Sequence, residues 1–316
     1  MSKIAETYGI PATNLSEVRK SLLTQRCPIL GFECDGGGNR YSSDLEIRSK
    51  YLIDLVPNRD RIRSSICSLS VGAENTNWVV CPRRLLSFEQ NSKDDPQQKL
   101  KSYLFDRADI PRPFSVWKEV KLKVKKESLT FDYTFDYVLS PVRSDNSNEP
   151  IGGPIVIEVM TSSTSGGNRR NRTTIQQCFE DLLLGHEHDG PGINYRQVWG
   201  RMISQFFVKS MVASAWQGRT FWVIQDSLLD YIERSTGFER SRFKSEDVSD
   251  VNLVSVTCGS SSGEHSLVPA SIEMYSGVLD RDLEESFYSI LATPMTPALS
   301  DLHRLLRAKQ PVATFF

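Results

Sequence analysis

The stretch PIVIEVMTSSTSGGNRRN, residues 154–171, places a carboxylate at the end of an apolar run. Ile155, Val156 and Ile157 come directly before Glu158, and a short continuous apolar run is typical of a buried strand. Burying a carboxylate without a partner costs several kcal/mol. Glu158 therefore needs a cation, a network of donors or an exposed strand end, and a metal ion is one such partner.

The length and composition are those of an ordinary globular protein. The 316 residues, of which 39% are hydrophobic and 24% are charged, suit one large domain or two moderate ones. The N-terminus has no apolar signal core, and no apolar stretch reaches the ~18 to 20 residues that a spanning helix needs. We therefore expect a cytoplasmic protein with no membrane partner. Six cysteines without a secretory signal favour metal ligation or burial over a disulfide framework.

The order of periodic segments predicts the fold class. Strand-like segments over 114–124, 129–139 and 154–161 precede helices over about 174–185 and 195–217 and another strand over 220–225. This order predicts an α/β protein with a mixed central sheet flanked by helices, in which residues 125–128 form a hairpin.

Residues 27–88 look different because Cys, Gly, Pro, Asn and Arg are frequent there and periodicity is poor. We interpret this segment as a loop-rich insert that cannot build a large core of its own. The chain then divides into an N-terminal helix with a metal-binding region over 1–95, and a larger core with a C-terminal elaboration over 96–316.

Two carboxylates lie on neighbouring predicted strands. Asp136 belongs to FDYTFDYVLSP and Glu158 to VIEVM, so adjacent strands can bring both within reach of one divalent cation. Oxygen ligands of this kind suit Mg²⁺, which binds through one or two carboxylates and substrate phosphate. Such an ion can activate water and stabilise charge on a scissile phosphate. A strand Asp and a strand Glu are common, however, and the pair taken alone favours a structural role.

Four cysteines in the N-terminal region form the pattern C-x6-C-x32-C-x13-C. They are Cys27, Cys34, Cys67 and Cys81. Four thiolates suit a closed tetrahedral site for zinc or iron, which would supply folding energy to a region with little core. The spacing differs from the compact CxxC pairs of zinc ribbons, so four coincidentally buried cysteines are the alternative.

The carboxylates and cysteines together carry a family resemblance. An Asp on one hairpin strand, then Glu-x-Lys or a variant on the next strand, followed by a helix, resembles the PD-(D/E)XK nuclease core. With the CP, CD, C and CPRRL elements ahead of it, the chain from Cys27 to Gly185 is similar to the NotI-like type II restriction endonucleases. The resemblance implies a homodimer that cuts double-stranded DNA at a GC-rich palindrome.

The resemblance also implies roles for individual residues. Asp136 and Glu158 would be catalytic and bind Mg²⁺, with the main-chain carbonyl of Val159 as a third ligand. The four cysteines would hold a structural iron, although zinc accepts the same ligands. A cognate DNA methyltransferase would be functionally linked, and Cys178 and Cys258 would belong to the core.

Met160 departs from this pattern. The NotI-like motif has glutamine at this position and the wider superfamily usually has lysine, whereas a thioether is a weak acceptor without a proton to donate. We expect the role to migrate to the following helix, where Gln176 and Gln177 are the candidates, and Thr161 is a further neighbour.

Three arginines follow the carboxylate strand in GGNRRNRTT. Arg169, Arg170 and Arg172 are DNA-binding candidates, because arginine can grip phosphates or read guanine O6 and N7. A solvated loop is the alternative for such a cluster.

We therefore predict a type II restriction endonuclease that makes Mg²⁺-dependent double-strand cuts. One alternative is a repair or CRISPR-associated nuclease with an iron-sulfur cluster. Another is a non-catalytic, metal-stabilised DNA-binding protein, which Met160 makes arguable.

Overall fold

The structure, a computed structural model, describes residues 2–36, 44–46, 50–57, 61–72, 76–90, 95–126, 129–143, 149–235, 240–243, 247–259, 268–277 and 297–315. The helices in these ranges are α1 (Leu15–Thr24), α2 (Lys50–Leu55), α3 (Pro82–Leu85), α4 (Gln98–Ala108), α5 (Ile175–Leu184), α6 (Tyr195–Ala215), α7 (Asp226–Ser235) and α8 (Leu299–Ala308), with a 3-10 turn at Arg240–Phe243. The strands are β1 (Ser2–Thr7), β2 (Ile10–Pro11), β3 (Asp44–Glu46), β4 (Arg61–Arg63), β5 (Ile66–Val71), β6 (Thr76–Val79), β7 (Phe114–Lys126), β8 (Leu129–Pro141), β9 (Ile155–Met160), β10 (Arg219–Gln225), β11 (Val251–Gly259), β12 (Val268–Gly277) and β13 (Ala313–Phe315).

A seven-stranded mixed sheet has the order β12-β11-β10-β9-β8-β7-β13. Strands β7 and β8 pair antiparallel up to Lys126 and Leu129, as the short connection between them requires. Strand β9 pairs antiparallel with β8 and parallel with β10, because α5 and α6 carry the chain back across the sheet. The prediction of a mixed α/β sheet flanked by helices is confirmed.

Helix ends follow the capping signals in the sequence. Helix α1 begins after Asn14, whose side chain accepts a hydrogen bond from the Glu17 N–H. Helix α5 begins after Thr174 and ends at Gly185, which adopts the left-handed conformation at φ 77°. No helix in the described ranges is long and apolar enough to cross a bilayer.

Strand β9 lies in the centre of the sheet and presents opposite sides to two cores. Ile155, Ile157 and Val159 face the cluster that contains α4, whereas Val156 packs with residues of α6 and α8. Because side chains alternate along a strand, Glu158 shares the α6 side with Val156. Glu158 is therefore buried beneath a helix.

A second, four-stranded sheet with the order β2-β1-β5-β6 occupies the N-terminal region. It builds its own core from β1, β5, α1, α5 and the cysteine segment. Residues 27–88 therefore contain strands and helices that the expectation of a loop-rich insert did not include, and they share this core with residues outside the segment. The hydrophobic partners of β5 lie at residues 2–7 and 175–184, too far along the chain for local periodicity to reveal them.

The two sheets are joined by α3 and by α5. Helix α3 packs against β6, β9 and β10, and the Val79 N–H donates to Gln225 Oε1 at 2.8 Å. Helix α5 follows the carboxylate strand in sequence but packs into the N-terminal core. The domain boundary near residue 95 stays a prediction, and packing crosses it extensively.

Candidate active site

The pairing of β8 with β9 brings the two predicted carboxylates together. Tyr137 pairs with Ile157, so Asp136 and Glu158 occupy the next position along the two strands. The main-chain N–H of Val159 donates to Asp136 Oδ2 at 2.9 Å. This bond holds the Asp136 carboxylate against β9. Beyond Ile157, the described pairing of β9 is with β10. Asp136 is half-buried and Glu158 is 2% exposed.

The two oxygens of Glu158 have different surroundings. Oε2 accepts a hydrogen bond from Lys209 Nζ at 2.5 Å, whereas Oε1 is buried with no hydrogen-bond partner in the described part of the chain. Burial raises the pKa of Glu158 to about 8, the negative charge of Asp136 adds to the rise, and Lys209 opposes it. A buried acceptor without a donor destabilises the fold. Such groups are characteristic of functional sites.

These observations test whether a divalent cation fits the carboxylate pair. Mg²⁺ prefers oxygen ligands, and an unpartnered buried carboxylate oxygen beside a second carboxylate is a matching donor set. Asp136 and Glu158 would hold the ion. The N–H of Val159 donates to Asp136, and the role of the Val159 main-chain carbonyl as a third ligand stays a prediction.

Lys209 is the site residue that the sequence did not reveal. It lies on α6, 51 residues after Glu158, and is 9% exposed. Its Nζ also lies 5.8 Å from the centre of the Phe135 ring. The one available signal was a lysine between Phe206 and the buried Val212 on the side of α6 that faces the sheet.

Met160 and the two candidate glutamines lie in other surroundings. Met160 packs against the apolar cluster that contains Trp222 and Ile224. Gln176 and Gln177 are half-buried on α5, and the Gln177 amide bonds to Thr174 and to a main-chain carbonyl of the preceding loop. The hydrogen bond to Glu158 that the structure describes comes from α6, not from α5.

The four predicted metal ligands surround one pocket. Cys27, Cys34, Cys67 and Cys81 are all buried, unbridged and part of its lining. Main-chain N–H groups donate to two of the sulfurs, from Gly9 to Cys67 at 3.3 Å and from Gly36 to Cys34 at 3.4 Å. The tertiary structure thus gathers thiols that are separated by up to 32 residues between successive cysteines.

The thiols influence one another electrostatically. A hydrogen bond from Cys27 is the main cause that lowers the pKa of Cys34 to about 6. Burial raises the pKa of Cys81 to about 12, and the negative charge of Cys34 adds to the rise. Among the described residues, no group of three or more His, Cys, Asp or Glu side chains is placed to hold a metal ion. The four thiols share a pocket and are the donor type that zinc and iron prefer, and the metal site stays a prediction.

Arg83 connects the cysteine pocket with strand β8. It lines the pocket and donates to Asp35 at 3.2 Å. Its other nitrogens donate to the Tyr137 hydroxyl at 3.2 Å and to Glu119 at 2.8 Å. Tyr137 directly follows Asp136 on β8 but faces the opposite side of the strand, so Arg83 links the cysteine pocket to β8 and does not reach the carboxylates.

The three arginines after β9 are not equivalent. Arg169 and Arg170 are exposed on a loop in which Asn168 Oδ1 accepts from the Arg170 N–H at 2.8 Å. Arg172 instead donates to Asp181 at 2.7 Å and to Glu180 at 2.9 Å. The structure therefore leaves two of the three side chains projecting toward solvent and ties the third to α5.

No protein-family model matches the chain, and no curated protein is significantly similar to it.

Proposed function

We propose that this protein is a Mg²⁺-dependent endodeoxyribonuclease that acts as a type II restriction enzyme. One observation carries the proposal: Glu158 is buried opposite Asp136 with an oxygen that has no described hydrogen-bond partner. A fold under no functional constraint would gain stability by replacing such a group. The mixed sheet with its antiparallel hairpin and central carboxylate strand supports a PD-(D/E)XK core.

The proposed reaction is hydrolysis of a phosphodiester. The water oxygen forms a bond to phosphorus, the bond to one sugar oxygen breaks, and its electron pair leaves on that oxygen. The attacking water loses one proton, and the departing sugar oxygen gains one. Mg²⁺, when bound, supplies Lewis-acid stabilisation of the phosphate charge. Glu158 and Asp136 would position the ion, and the Val159 N–H keeps Asp136 in place.

DNA would approach on the side of the exposed loop that follows β9. Arg169 and Arg170 supply positive charge there for phosphates or guanine edges. A homodimer acting on a GC-rich palindrome would bring two such sites to the two strands, and a linked methyltransferase would protect the host DNA.

Cleavage of DNA tests the proposal directly. Purified protein is incubated with phage DNA and Mg²⁺, and discrete, reproducible fragments are expected. Glu158→Ala should abolish them, whereas Asp132→Asn, which changes an exposed carboxylate on the same strand as Asp136, should not. The absence of cleavage with both Mg²⁺ and Mn²⁺ would reject the proposal. A gel shift without cleavage would favour the non-catalytic DNA-binding protein.

We further propose that the four cysteines hold one structural iron or zinc. The shared pocket and the N–H donors to two sulfurs support this. Elemental analysis should find about one metal ion per chain, as a closed four-thiolate site requires. Cys67→Ser should lose the ion, whereas Cys178→Ser, which changes a buried cysteine outside the pocket, should keep it. Acid-labile sulfide would favour the iron-sulfur nuclease instead.

A further inference from the structure

We propose that Lys209 is a catalytic residue of the carboxylate site, whose ammonium holds the attacking water beside Glu158. This inference rests on the proposed nuclease function and adds the residue that supplies positive charge to the reacting atoms. It is carried by three features of the structure: the placement of Lys209, the incompleteness of its ion pair, and the chemistry of Met160.

The placement of Lys209 is fixed by the packing of α6. This helix contacts β9 and β10, and Ser210 next to Lys209 shares a hydrogen bond with Thr220 at 3.0 Å. One turn further along, Val212 and Ala213 are fully buried against the sheet. Lys209 therefore has little freedom to leave the side of α6 that covers Glu158.

The ion pair between Lys209 and Glu158 is incomplete on both sides. A buried lysine is costly unless its charge is compensated, so this position needs a reason. An ammonium has three donors, and within the described ranges the hydrogen bonds of Lys209 Nζ go to Glu158 alone. Glu158 in turn keeps Oε1 without a partner. In a purely structural pair, the remaining Lys209 donors and Glu158 Oε1 would bond to other protein groups. A site for water and a metal ion instead needs these donors and this acceptor to be available.

A fully used buried pair occurs elsewhere in the chain. Arg84 donates to both oxygens of Glu6, at 2.8 and 2.9 Å, and Ser68 also donates to that carboxylate. Both charged side chains are buried, as are Lys209 and Glu158. The contrast shows that this fold can satisfy a buried glutamate, and the Glu158 pair is different in leaving donors and an acceptor unused.

Because Met160 carries no charge, the positive charge beside Glu158 has to come from a helix and not from β9. It lies two residues after Glu158 and so projects from the same side of β9. Its side chain packs with Trp222 and Ile224 and has no hydrogen-bond donor. The strand itself therefore offers no cation beside Glu158, and α6 supplies one from above.

The chemistry of an ammonium limits the role of Lys209. A charged lysine donates hydrogen bonds and accepts none, so it does not remove the proton of the attacking water. It can orient the water oxygen toward phosphorus and offset the negative charge that accumulates on the phosphate. Donors placed at developing charge contribute about 10²- to 10³-fold to rate in other enzymes.

Replacement of the lysine tests this role. Lys209→Met keeps the side-chain volume and removes the charge, and single-turnover DNA cleavage should slow by about 10²- to 10³-fold. Lys20→Met, which changes an exposed lysine on α1, should cleave at the wild-type rate. Thermal unfolding of each variant confirms the fold. If Lys209→Met does not fold, Lys209→Gln, which can still donate to Glu158 without a charge, replaces it with the same expected loss.

Moving the lysine tests whether the rate depends on an ammonium beside Glu158 or only on the net charge of this region. Lys209→Met combined with Met160→Lys places an ammonium beside Glu158 from the strand and should recover at least about tenfold of the lost rate. Lys209→Met combined with Met211→Lys restores the net charge elsewhere on α6 and should recover nothing.

Two failures are distinguishable. A wild-type protein that cleaves DNA while folded Lys209→Met or Lys209→Gln cleaves equally fast would overturn the role of Lys209 and leave the nuclease intact. A wild-type protein that cleaves no DNA with Mg²⁺ or Mn²⁺ would remove the proposed function and this inference with it.

Discussion

The four-stranded and the seven-stranded sheets each bury one glutamate, and the two glutamates have different hydrogen-bond partners. Glu6 in the four-stranded sheet is fully buried, and Arg84 bonds to both of its oxygens. Glu158 in the seven-stranded sheet is 2% exposed, and one of its oxygens has no described partner. The first carboxylate is neutralised by a bidentate pair that links β1 to α3. The second retains an unused acceptor and a raised pKa.

The difference separates structural from functional burial. Removing one partner of a complete buried pair leaves an uncompensated charge, so Glu6 and Arg84 depend on each other for stability. In the Glu158 pair part of that cost is already present at Oε1, and a neutral glutamine at 158 should relieve it because its amide oxygen can still accept from Lys209. The same sequence feature, a glutamate inside a strand, therefore has opposite consequences in the two sheets.

Arg84→Met should cause the largest loss of stability. It leaves Glu6 charged and buried without its cation, which typically costs about 3–5 kcal/mol. Urea unfolding measures the free energy change. The double variant Arg84→Met/Glu6→Leu should recover most of it, because apolar groups can replace a buried ion pair. A loss below about 1 kcal/mol would show that the Glu6 pair is no more complete than that of Glu158.

Glu158→Gln should have the opposite sign when divalent metal is removed by EDTA. Because the folded-state pKa of Glu158 is raised from 4.5 to about 8, the folded protein holds a proton that the unfolded chain releases. Wild-type stability therefore falls as pH rises from 4.5 to 8, whereas the glutamine variant lacks this loss. Urea unfolding should show the variant more stable by about 1–3 kcal/mol at pH 8 and nearly equal at pH 5.

Addition of Mg²⁺ reverses that advantage and provides the control. The ion favours the charged carboxylate, so the Tm of the wild type should rise with Mg²⁺ concentration while the Tm of Glu158→Gln stays constant. A wild-type Tm that is insensitive to Mg²⁺ and Mn²⁺ would mean that Glu158 binds no ion.

Substitution of the arginines after β9 should have the smallest effects, because these side chains lie at the surface. Arg172 is tied to Asp181 and Glu180, whereas Arg170 is exposed. Arg170→Ala should weaken DNA binding and reduce the salt dependence by about one phosphate contact. Arg172→Ala should instead lower stability by up to about 1 kcal/mol, as expected for a surface pair. Titrations at several salt concentrations in Ca²⁺ distinguish the two, and equal salt slopes would contradict the distinction.

Local sequence signals predicted most of the seven-stranded sheet and its helices. Strands β7, β8 and β9 alternate or run apolar over six or more residues, and α5 has a threonine cap and a terminal glycine. These signals act within one turn or one strand, so they can be read without the fold. The proximity of Asp136 to Glu158 was expected because the two residues lie on consecutive predicted strands, β8 and β9, which can be neighbours in a sheet.

The N-terminal sheet was missed because its strands are short and their partners are distant. Strand β5 carries a cysteine and two serines among its six residues, and it pairs with β1, about 60 residues earlier in the chain. Helix α4 and strand β12 were missed for a related reason, since they are stabilised mainly by packing onto the seven-stranded sheet.

The sequence by itself determined that a glutamate ends a buried strand, that an aspartate lies on the strand before it, and that four cysteines precede them. Each of these follows from hydrophobic pattern and spacing, which are properties of neighbouring residues. Only the tertiary structure decided that the thiols share one pocket and that Lys209 meets Glu158 from α6. Those contacts join residues far apart in the chain, and the packing of whole helices and sheets sets them.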